Sequence, residues 1–272
     1  MKSILITGST DGIGKLAAKK LAREGHQIYI HGRNKEKIEG TIDEIRKESG
    51  SMKVFGAQAD LSNLKKVKAF AEKTAFQLSK LDVLINNAGV FKTPHPHNIG
   101  ELDIRFKVNY LAPYVLTREM LPLLKKSANS RIINLSSAAQ AAVSTDALQG
   151  TISLTQQESY AQSKLALTTW SFDLAKKFKD VSVIAVNPGS LLNTKMVKEA
   201  YGNHWSPADK GANILFDLAV SPEFEGESGK YFDNDKGDPR GRFAEAHPDA
   251  YSEAKIEGLL KTTELVLSNQ NS

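Results

Sequence analysis

Along this chain, short runs of β-branched and other apolar residues alternate with longer stretches in which apolar residues recur every three or four positions. The short runs, at residues 4–7, 28–31, 54–57, 83–86, 132–135 and 183–186, predict strands that are apolar on both faces. The longer stretches, at 13–24, 35–48, 63–78, 101–125 and 158–179, predict helices. Strands of this kind separated by helices imply a parallel sheet covered on both sides. Right-handed crossovers then make it a doubly wound sheet, with its ligands at the carboxyl ends of the strands.

The fold class expected is therefore α/β, a Rossmann-type sheet in one domain spanning 1–272, because no Pro/Ser-rich linker and no repeat divides the chain. Two irregular segments stand out. Residues 138–159 form a polar insertion of small residues, and 189–206 carries Leu191, Leu192, Met196, Tyr201 and Trp205, which suit an apolar lid over a pocket or packing on the core. Residues 226–272 read as a last strand, a loop and a closing helix whose amphipathic part is 249–267.

Composition narrows the class without changing it. A chain of 272 residues, 40% hydrophobic and 25% charged, buries a full core. The net charge of +5 comes from 36 basic and 31 acidic side chains interspersed with one another, which argues against a nucleic-acid surface. The absence of cysteine excludes disulfides, thiolate catalysis and cysteine zinc sites. "SILIT" begins at Ser3, leaving no room for a secretory h-region, and no window approaches the roughly 18 apolar residues of a membrane span, so a soluble cytoplasmic protein is expected. His95 and His97 have no carboxylate or cysteine at ligand spacing, and no metal is expected; His26, His204 and His247 read as surface or loop residues.

Chemistry concentrates at the ends of the predicted strands. "TGSTDGIG", residues 7–14, lies between the first strand and the first helix. There Gly8 permits a tight turn, Gly12 lets backbone approach a pyrophosphate, Gly14 lets helix pack on strand, and the helix N-terminus favours an anion. The second strand ends in "YIHGRN", with Gly32 where an NAD-type site needs an acid and Arg33 next to it, suited to a 2′-phosphate. Asp11 argues the other way, as a carboxylate near the adenosine ribose. Tyr160 and Lys164 share one helix face about 6 Å apart along the axis. An ammonium about 4 Å from a phenol, at an effective dielectric near 20, contributes roughly 4 kcal/mol, or about three pKa units, and would bring the tyrosine near the working pH.

Taken together, Gly8-x-x-x-Gly12-x-Gly14, "NNAG" at 86–89, Asn109, the serine pair after the fifth strand, Tyr160-x-x-x-Lys164 and "NPG" at 187–189 resemble the short-chain dehydrogenase/reductase family over nearly the whole chain. "RIINLSS", "SYAQSKLA" and "SGKYFD" are similar to its retinol-dehydrogenase-like group, whose members often carry a hydrophobic anchor ahead of the first strand; with no such anchor here, a retinoid substrate is not carried over.

The resemblance implies Tyr160 as acid/base, Lys164 as its activator, Ser137 as partner of the carbonyl oxygen and Asn109 in a proton relay through its backbone and a water. Ser136 competes with Ser137, and Asn109 also suits a structural amide between helices. For the cofactor it implies Gly8, Ser9, Thr10, Gly12, Ile13, Gly14, Arg33, Asp60, Leu61, Asn87, Ala88, Gly89, Tyr160, Lys164, Pro188, Gly189 and Thr194. Asp60 and Thr194 also suit a turn carboxylate and a helix-start threonine. Asn86, Ala88 and Gly89 close the fourth strand beside the adenosine half.

The function expected is an oxidoreductase that interconverts an alcohol and a ketone or aldehyde. NADP(H) is preferred and NAD(H) possible, the substrate is small and apolar, and the oligomeric state is left open, the resemblance implying that a homodimer or homotetramer would pair through the helices at 101–125 and 158–179. A catalytically idle sensor or scaffold on the same fold is the alternative, disfavoured by the presence of all four catalytic-type residues. Sugar-nucleotide epimerases, with Gly-x-x-Gly-x-x-Gly and a larger C-terminal domain, fit less well.

Overall fold

The computed structural model describes residues 1–93, 99–237 and 240–271, and these form one sheet of eight strands. The strands are β1 (Ser3–Ile6), β2 (Gln27–Gly32), β3 (Val54–Gln58), β4 (Val83–Asn86), β5 (Ser130–Leu135), β6 (Val181–Asn187), β7 (Lys230–Asp233) and β8 (Arg242–Ala244). Their order is β3-β2-β1-β4-β5-β6-β7-β8, with β8 antiparallel to β7 and every other neighbour parallel. The order reverses between β1 and β4, which opens a crevice at their carboxyl ends.

The helices are α1 (Gly12–Arg23), α2 (Lys35–Ser49), α3 (Leu64–Gln77), α4 (Ile104–Phe106), α5 (Ala112–Leu124), α6 (Thr145–Gln149), α7 (Gln156–Lys177), α8 (Lys195–Tyr201), α9 (Ala208–Val220) and α10 (Glu253–Asn271). Alternation along β1 shows how the two faces are served. Ile4 and Ile6 enter a core with Leu21 of α1, Ile45 of α2 and Leu215 of α9. Leu5 enters the opposite core with Phe70 of α3, Met120 of α5 and Trp170 of α7. Period-two strands buried on both sides thus give the doubly wound sheet.

Four local features differ from the expectation. β3 is an edge strand in which Val54 is buried but Phe55 is 40% exposed, so it is not apolar on both faces in the fold. The predicted helix at 101–125 begins later and is interrupted by a π-helical turn, Lys107–Leu111, between α4 and α5. α9 carries Gly211 in its interior, a weak helix former whose missing side chain makes room for Leu192; a Cβ there would lie 2.6 Å from the leucine's methyl. β8 falls in the segment read as loop, and Phe243 anchors it edge-on against Phe224 and Phe232.

The closing helix α10 packs on α6 and α7 and reaches the π-helical turn and α5, where Tyr110 Oη and Thr263 Oγ1 are 2.7 Å apart and Tyr114 Oη donates to Glu264 at 2.5 Å. It therefore covers the Tyr110, Tyr114 and Arg118 face of one of the segments expected to pair two copies. Among the described residues no helix is long and apolar enough to cross a membrane. His95 and His97 lie outside the described residues.

Candidate active site

The glycine turn is braced from three strands. Thr7 Oγ1 accepts the N–H groups of Asn87 and Ala88, both at 3.0 Å, while Asn87 Nδ2 donates back to the carbonyls of Thr7 (2.7 Å) and Gly8 (3.0 Å). Gly8 has φ +63°, and a Cβ on it would lie 2.8 Å from Ala88 Cα, so no larger residue fits this turn. A Cβ on Gly14 would lie 2.4 Å from Asn87 Nδ2, so this glycine makes way for the asparagine amide rather than for strand packing. Ser9 is fully buried; its hydroxyl donates to Ile6 O at 2.7 Å and accepts His31 N–H at 3.0 Å. Thr10 stands over Gly32, and Asp11 caps α1 by accepting Gly12 N–H at 2.8 Å.

His31 completes this brace. Its Nδ1 accepts the Gly8 N–H at 3.1 Å and its Nε2 faces Ala59 O at 3.1 Å, an arrangement that assigns the neutral tautomer with the proton on Nε2. Burial pushes the imidazole down to about 4, outweighing the Ala59 bond and the Asp60 charge that favour protonation. Just past the end of β2, Arg33 is exposed, and among the described residues its guanidinium has no ion-pair partner. Burial opposes the Asp60 charge, but bonds from the Ser62 N–H and O–H, with the positive charges of Arg33 and Lys66, hold its carboxyl below the ordinary range. One Asp60 oxygen thus serves its own turn, and the side chain of the neighbouring Leu61 lies in the core.

Across the crevice, Lys164 lies between the Tyr160 ring and Asn109 and bonds the carbonyl of Leu135, two residues before Ser137. Ser136 Oγ is 2.6 Å from Thr168 Oγ1 and donates to Lys164 O, so it is buried and committed. The hydroxyl of Ser137 is half-buried and accepts Ala139 N–H at 3.1 Å, which leaves its proton to donate outward. Lys164 is 4% exposed, donates to Leu135 O at 2.6 Å and sits 5.6 Å from the centre of the Tyr160 ring. Burial brings its ammonium down to about 7. At neutrality its charge is therefore only partly present, and the pull on the phenol is weaker than a full ammonium at 4 Å would exert. Phe91 packs edge-on against Tyr160, with ring centres 4.8 Å apart. Phe91 is itself held by Arg105, whose Nε donates to Phe91 O at 2.7 Å and whose buried guanidinium pairs with Asp103 at 3.0 Å.

Asn109 lies in the π-helical turn. Its side chain accepts Val90 N–H at 2.8 Å and donates to Val90 O (3.1 Å) and Ser163 Oγ (3.0 Å), the structural tie between neighbours. Its carbonyl is a separate matter. In an α-helix that oxygen would accept from residue 113, and Pro113 has no N–H to give. Gly89 marks where these groups meet, since a Cβ there would lie 3.5 Å from Asn109 Oδ1, 3.5 Å from Met196 Cε and 3.6 Å from Lys164 Nζ. Asn86, in contrast, turns into the sheet and donates to Asn134 at 2.8 Å, away from any ligand.

The far wall follows β6. Pro188 O accepts from Asn234 Nδ2 at 2.8 Å, and Gly189, at φ +121°, donates its N–H to Asn187 Oδ1. Thr194 caps α8, the helix-start role, and its methyl would lie 3.8 Å from a Cβ on Gly12, across the crevice. Ile13 and Leu192 meet over Gly211. Leu191 takes φ 49°, rare for a side-chain-bearing residue, and its carbonyl accepts from Trp205 and Ser206. Of the expected lid residues Met196 reaches inward and Leu192 packs on the core, but Trp205 is 82% exposed and covers nothing. The Tyr201 side chain lies outside the described residues. Two cavities of 420 and 640 Å³ beside α7 and α10 contain none of the site residues.

Sequence reasoning missed His31, Phe91, Arg105 and Tyr231. For His31 a signal existed, a histidine closing a central strand opposite the glycine turn; the other three act through contacts remote in sequence.

Comparison with known proteins agrees with this geometry. The profile of the short chain dehydrogenase family matches residues 2–204. Retinol dehydrogenase 12 of Mus musculus is 34% identical over 248 residues, covering 86% of this chain and 78% of that protein. Polyprenol dehydrogenase of Homo sapiens is 33% identical over 256 residues, covering 85% and 76%. A short chain dehydrogenase of Escherichia coli, solved in complex with NADPH, is 27% identical with a TM-score of 0.71, covering 85% of this chain and 95% of that one. With the crevice between β1 and β4, the braced glycine turn and the Tyr160–Lys164 pair beside it, the chain belongs to the short-chain dehydrogenase family of oxidoreductases.

Proposed function

We propose that this enzyme interconverts an alcohol and a ketone or aldehyde of apolar character, using NADP(H), with Tyr160 as the acid/base. The observation that carries the reading is Lys164, whose Nζ lies 5.6 Å from the centre of the Tyr160 ring, donates to Leu135 O two residues before Ser137, and meets Asn109 Oδ1 at Gly89. A bound nicotinamide dinucleotide supplies or accepts the hydride. In reduction the Tyr160 O–H gives its proton to the substrate oxygen, and in oxidation the phenolate takes it back. The free Ser137 proton donates a hydrogen bond to the same oxygen as negative charge develops there. Lys164, while protonated, favours the phenolate, and the Asn109 carbonyl, lacking its α-helical donor, offers an acceptor for a water that resupplies the proton.

The dinucleotide would be held by the glycine turn from Gly8 to Gly14, with Ser9 bracing and Thr10 and Ile13 flanking, and by Asp60, Asn87, Ala88, Gly89, Lys164, Pro188, Gly189 and Thr194. The preference for NADP(H) has three supports. A Cβ on Gly32 would lie 2.7 Å from the Thr10 methyl and 3.2 Å from Ile38, which leaves no room for an acid that would accept ribose hydroxyls. Arg33 is exposed beside it. The Asp11 carboxylate is engaged at the start of α1. Apolar substrate character is supported by Phe91 and Met196 beside the site and by relatives named for retinol and polyprenol.

Catalytic efficiency with NADPH and NADH, in the natural protein and in Arg33→Ala, tests the reading. NADPH is expected to be favoured by roughly ten- to a hundredfold, the worth of a charge-assisted contact of about 1.5–3 kcal/mol, and the alanine variant is expected to lose most of that margin. A natural protein that favours NADH, or an unchanged preference in Arg33→Ala, contradicts it.

A further inference from the structure

Ser137 is held from outside its own loop. Its carbonyl accepts two hydrogen bonds at 2.9 Å, one from Gln140 Nε2 three residues on and one from Tyr231 Oη on β7. The two donors differ in kind. Gln140 belongs to the same irregular segment as Ser137, and its own carbonyl oxygen is tied to the His247 N–H at 3.1 Å. Tyr231 is 3% exposed, and its ring packs with Leu165, Phe172, Ala185 and Ala250, so it is fixed to the sheet and to α7. Burial, with the nearby negative charges of Asp233 and Asp235, pushes its phenol up, so it stays a protonated donor throughout the working range.

We infer that Tyr231 is a positioning residue that sets the depth of Ser137 against Tyr160 by anchoring the Ser137 carbonyl to the sheet. The inference rests on the role proposed above for Ser137. The chain of causes is short. The Ser137 hydroxyl is oriented by Ala139 N–H, within a turn whose first carbonyl is the one Tyr231 holds. Remove the phenol oxygen, and the serine carbonyl keeps only Gln140, a donor from its own irregular segment rather than from the sheet. A donor aimed at developing charge tolerates little displacement, because catalysis depends on geometry fixed in advance.

The test is a double-mutant cycle on kcat, with NADPH affinity read by fluorescence and folding by thermal melting. Ser137→Ala is expected to lower kcat by about 100- to 1,000-fold, as for loss of one donor to an oxyanion. Tyr231→Phe is expected to lower kcat by about 3- to 10-fold, the net worth of one neutral hydrogen bond, with NADPH affinity unchanged. In the Ser137→Ala background the tyrosine change is expected to cost nothing more. Gln140→Ala with Tyr231→Phe is expected to lose more than either alone, but not more than Ser137→Ala.

A Tyr231→Phe loss that persists in the Ser137→Ala background overturns the inference, because the phenol would then act on Tyr160 or on the fold at large. An unchanged kcat in Tyr231→Phe overturns it too. If Ser137→Ala itself leaves kcat intact, the role of the serine fails first, and the inference with it. Should Tyr231→Phe not fold, Tyr231→Met, which fills similar space without the hydroxyl, is measured in both backgrounds in its place. A loss confined to the background with Ser137 intact then supports the anchoring, and no loss, or one that persists without the serine hydroxyl, overturns it.

Discussion

Around the glycine turn the braces are neutral side chains on strand ends that lie side by side, whereas across the crevice they reach over long spans of chain. Thr7, Ser9, His31 and Asn87 are held by β1, β2 and β4, neighbours in the sheet. On the other side Ser137 depends on Tyr231, Gln140 on His247, Tyr160 on Phe91 and Arg105, and α5 on α10. The two halves are built differently because they face different demands. A dinucleotide is chemically constant, so its cradle is built once from adjacent strands with no loose parts. The half that would take the substrate is assembled instead from an insertion and the C-terminal segment, pinned to the sheet at a few points.

Breaking a pin on the substrate side should cost most. Asp103→Ala leaves the Arg105 guanidinium buried without its carboxylate, a loss of about 3–5 kcal/mol of stability for a broken buried pair. Urea unfolding measures it. Because Arg105 also holds Phe91 against Tyr160, turnover should fall further than NADPH binding in whatever fraction folds. Equal losses of both would erase the distinction between the two halves.

On the cofactor side the expected effect is smaller and depends on pH. His31 titrates at about 4 in the fold and at about 6.5 when unfolded, so between these values the unfolded chain binds more protons. Stability is then full above pH 6.5 and falls as pH drops from 6.5 toward 4, by at most about 3 kcal/mol. Melting temperatures across that window check it. In His31→Gln, which keeps an acceptor and a donor but does not titrate, the slope should flatten; an equally steep slope would remove His31 as its cause.

The smallest effect belongs to Trp205. Exposed as it is, Trp205→Ala should change stability by less than about 0.5 kcal/mol, and the Michaelis constants of large and small substrates alike by little. A selective rise for bulky substrates would restore this residue to the lid, where its apolar character had suggested it belonged.

What can be read in the amino-acid sequence follows the same division. The strands from β1 to β7 and the glycine turn show in the primary structure because periodicity and fixed spacing are local properties. The resemblance chose Ser137 over Ser136, and the fold supplies a physical reason, since there the Ser136 hydroxyl turns to Thr168. The π-helical turn at Asn109 could have been suspected from Pro113, a missing donor four residues on. α9 was hidden by Gly211, which is unfavourable in a helix until Leu192 is seen to need the space. Phe91 and Arg105 carried no signal, and Tyr231 stood in the quoted "SGKYFD" without showing a role, because what they do is defined by partners elsewhere in the chain.

The exchange of a proton between Tyr160 and the substrate oxygen is the step on which the rest depends. It is tested most directly by Tyr160→Phe assayed with NADPH and a panel of apolar ketones and aldehydes, alongside fluorescence titration of NADPH. Turnover is expected to fall by at least about a hundredfold, the lower end of what general acid–base catalysis contributes, while NADPH affinity stays nearly intact. A phenylalanine variant that keeps more than about a hundredth of the natural rate would contradict the assignment of Tyr160.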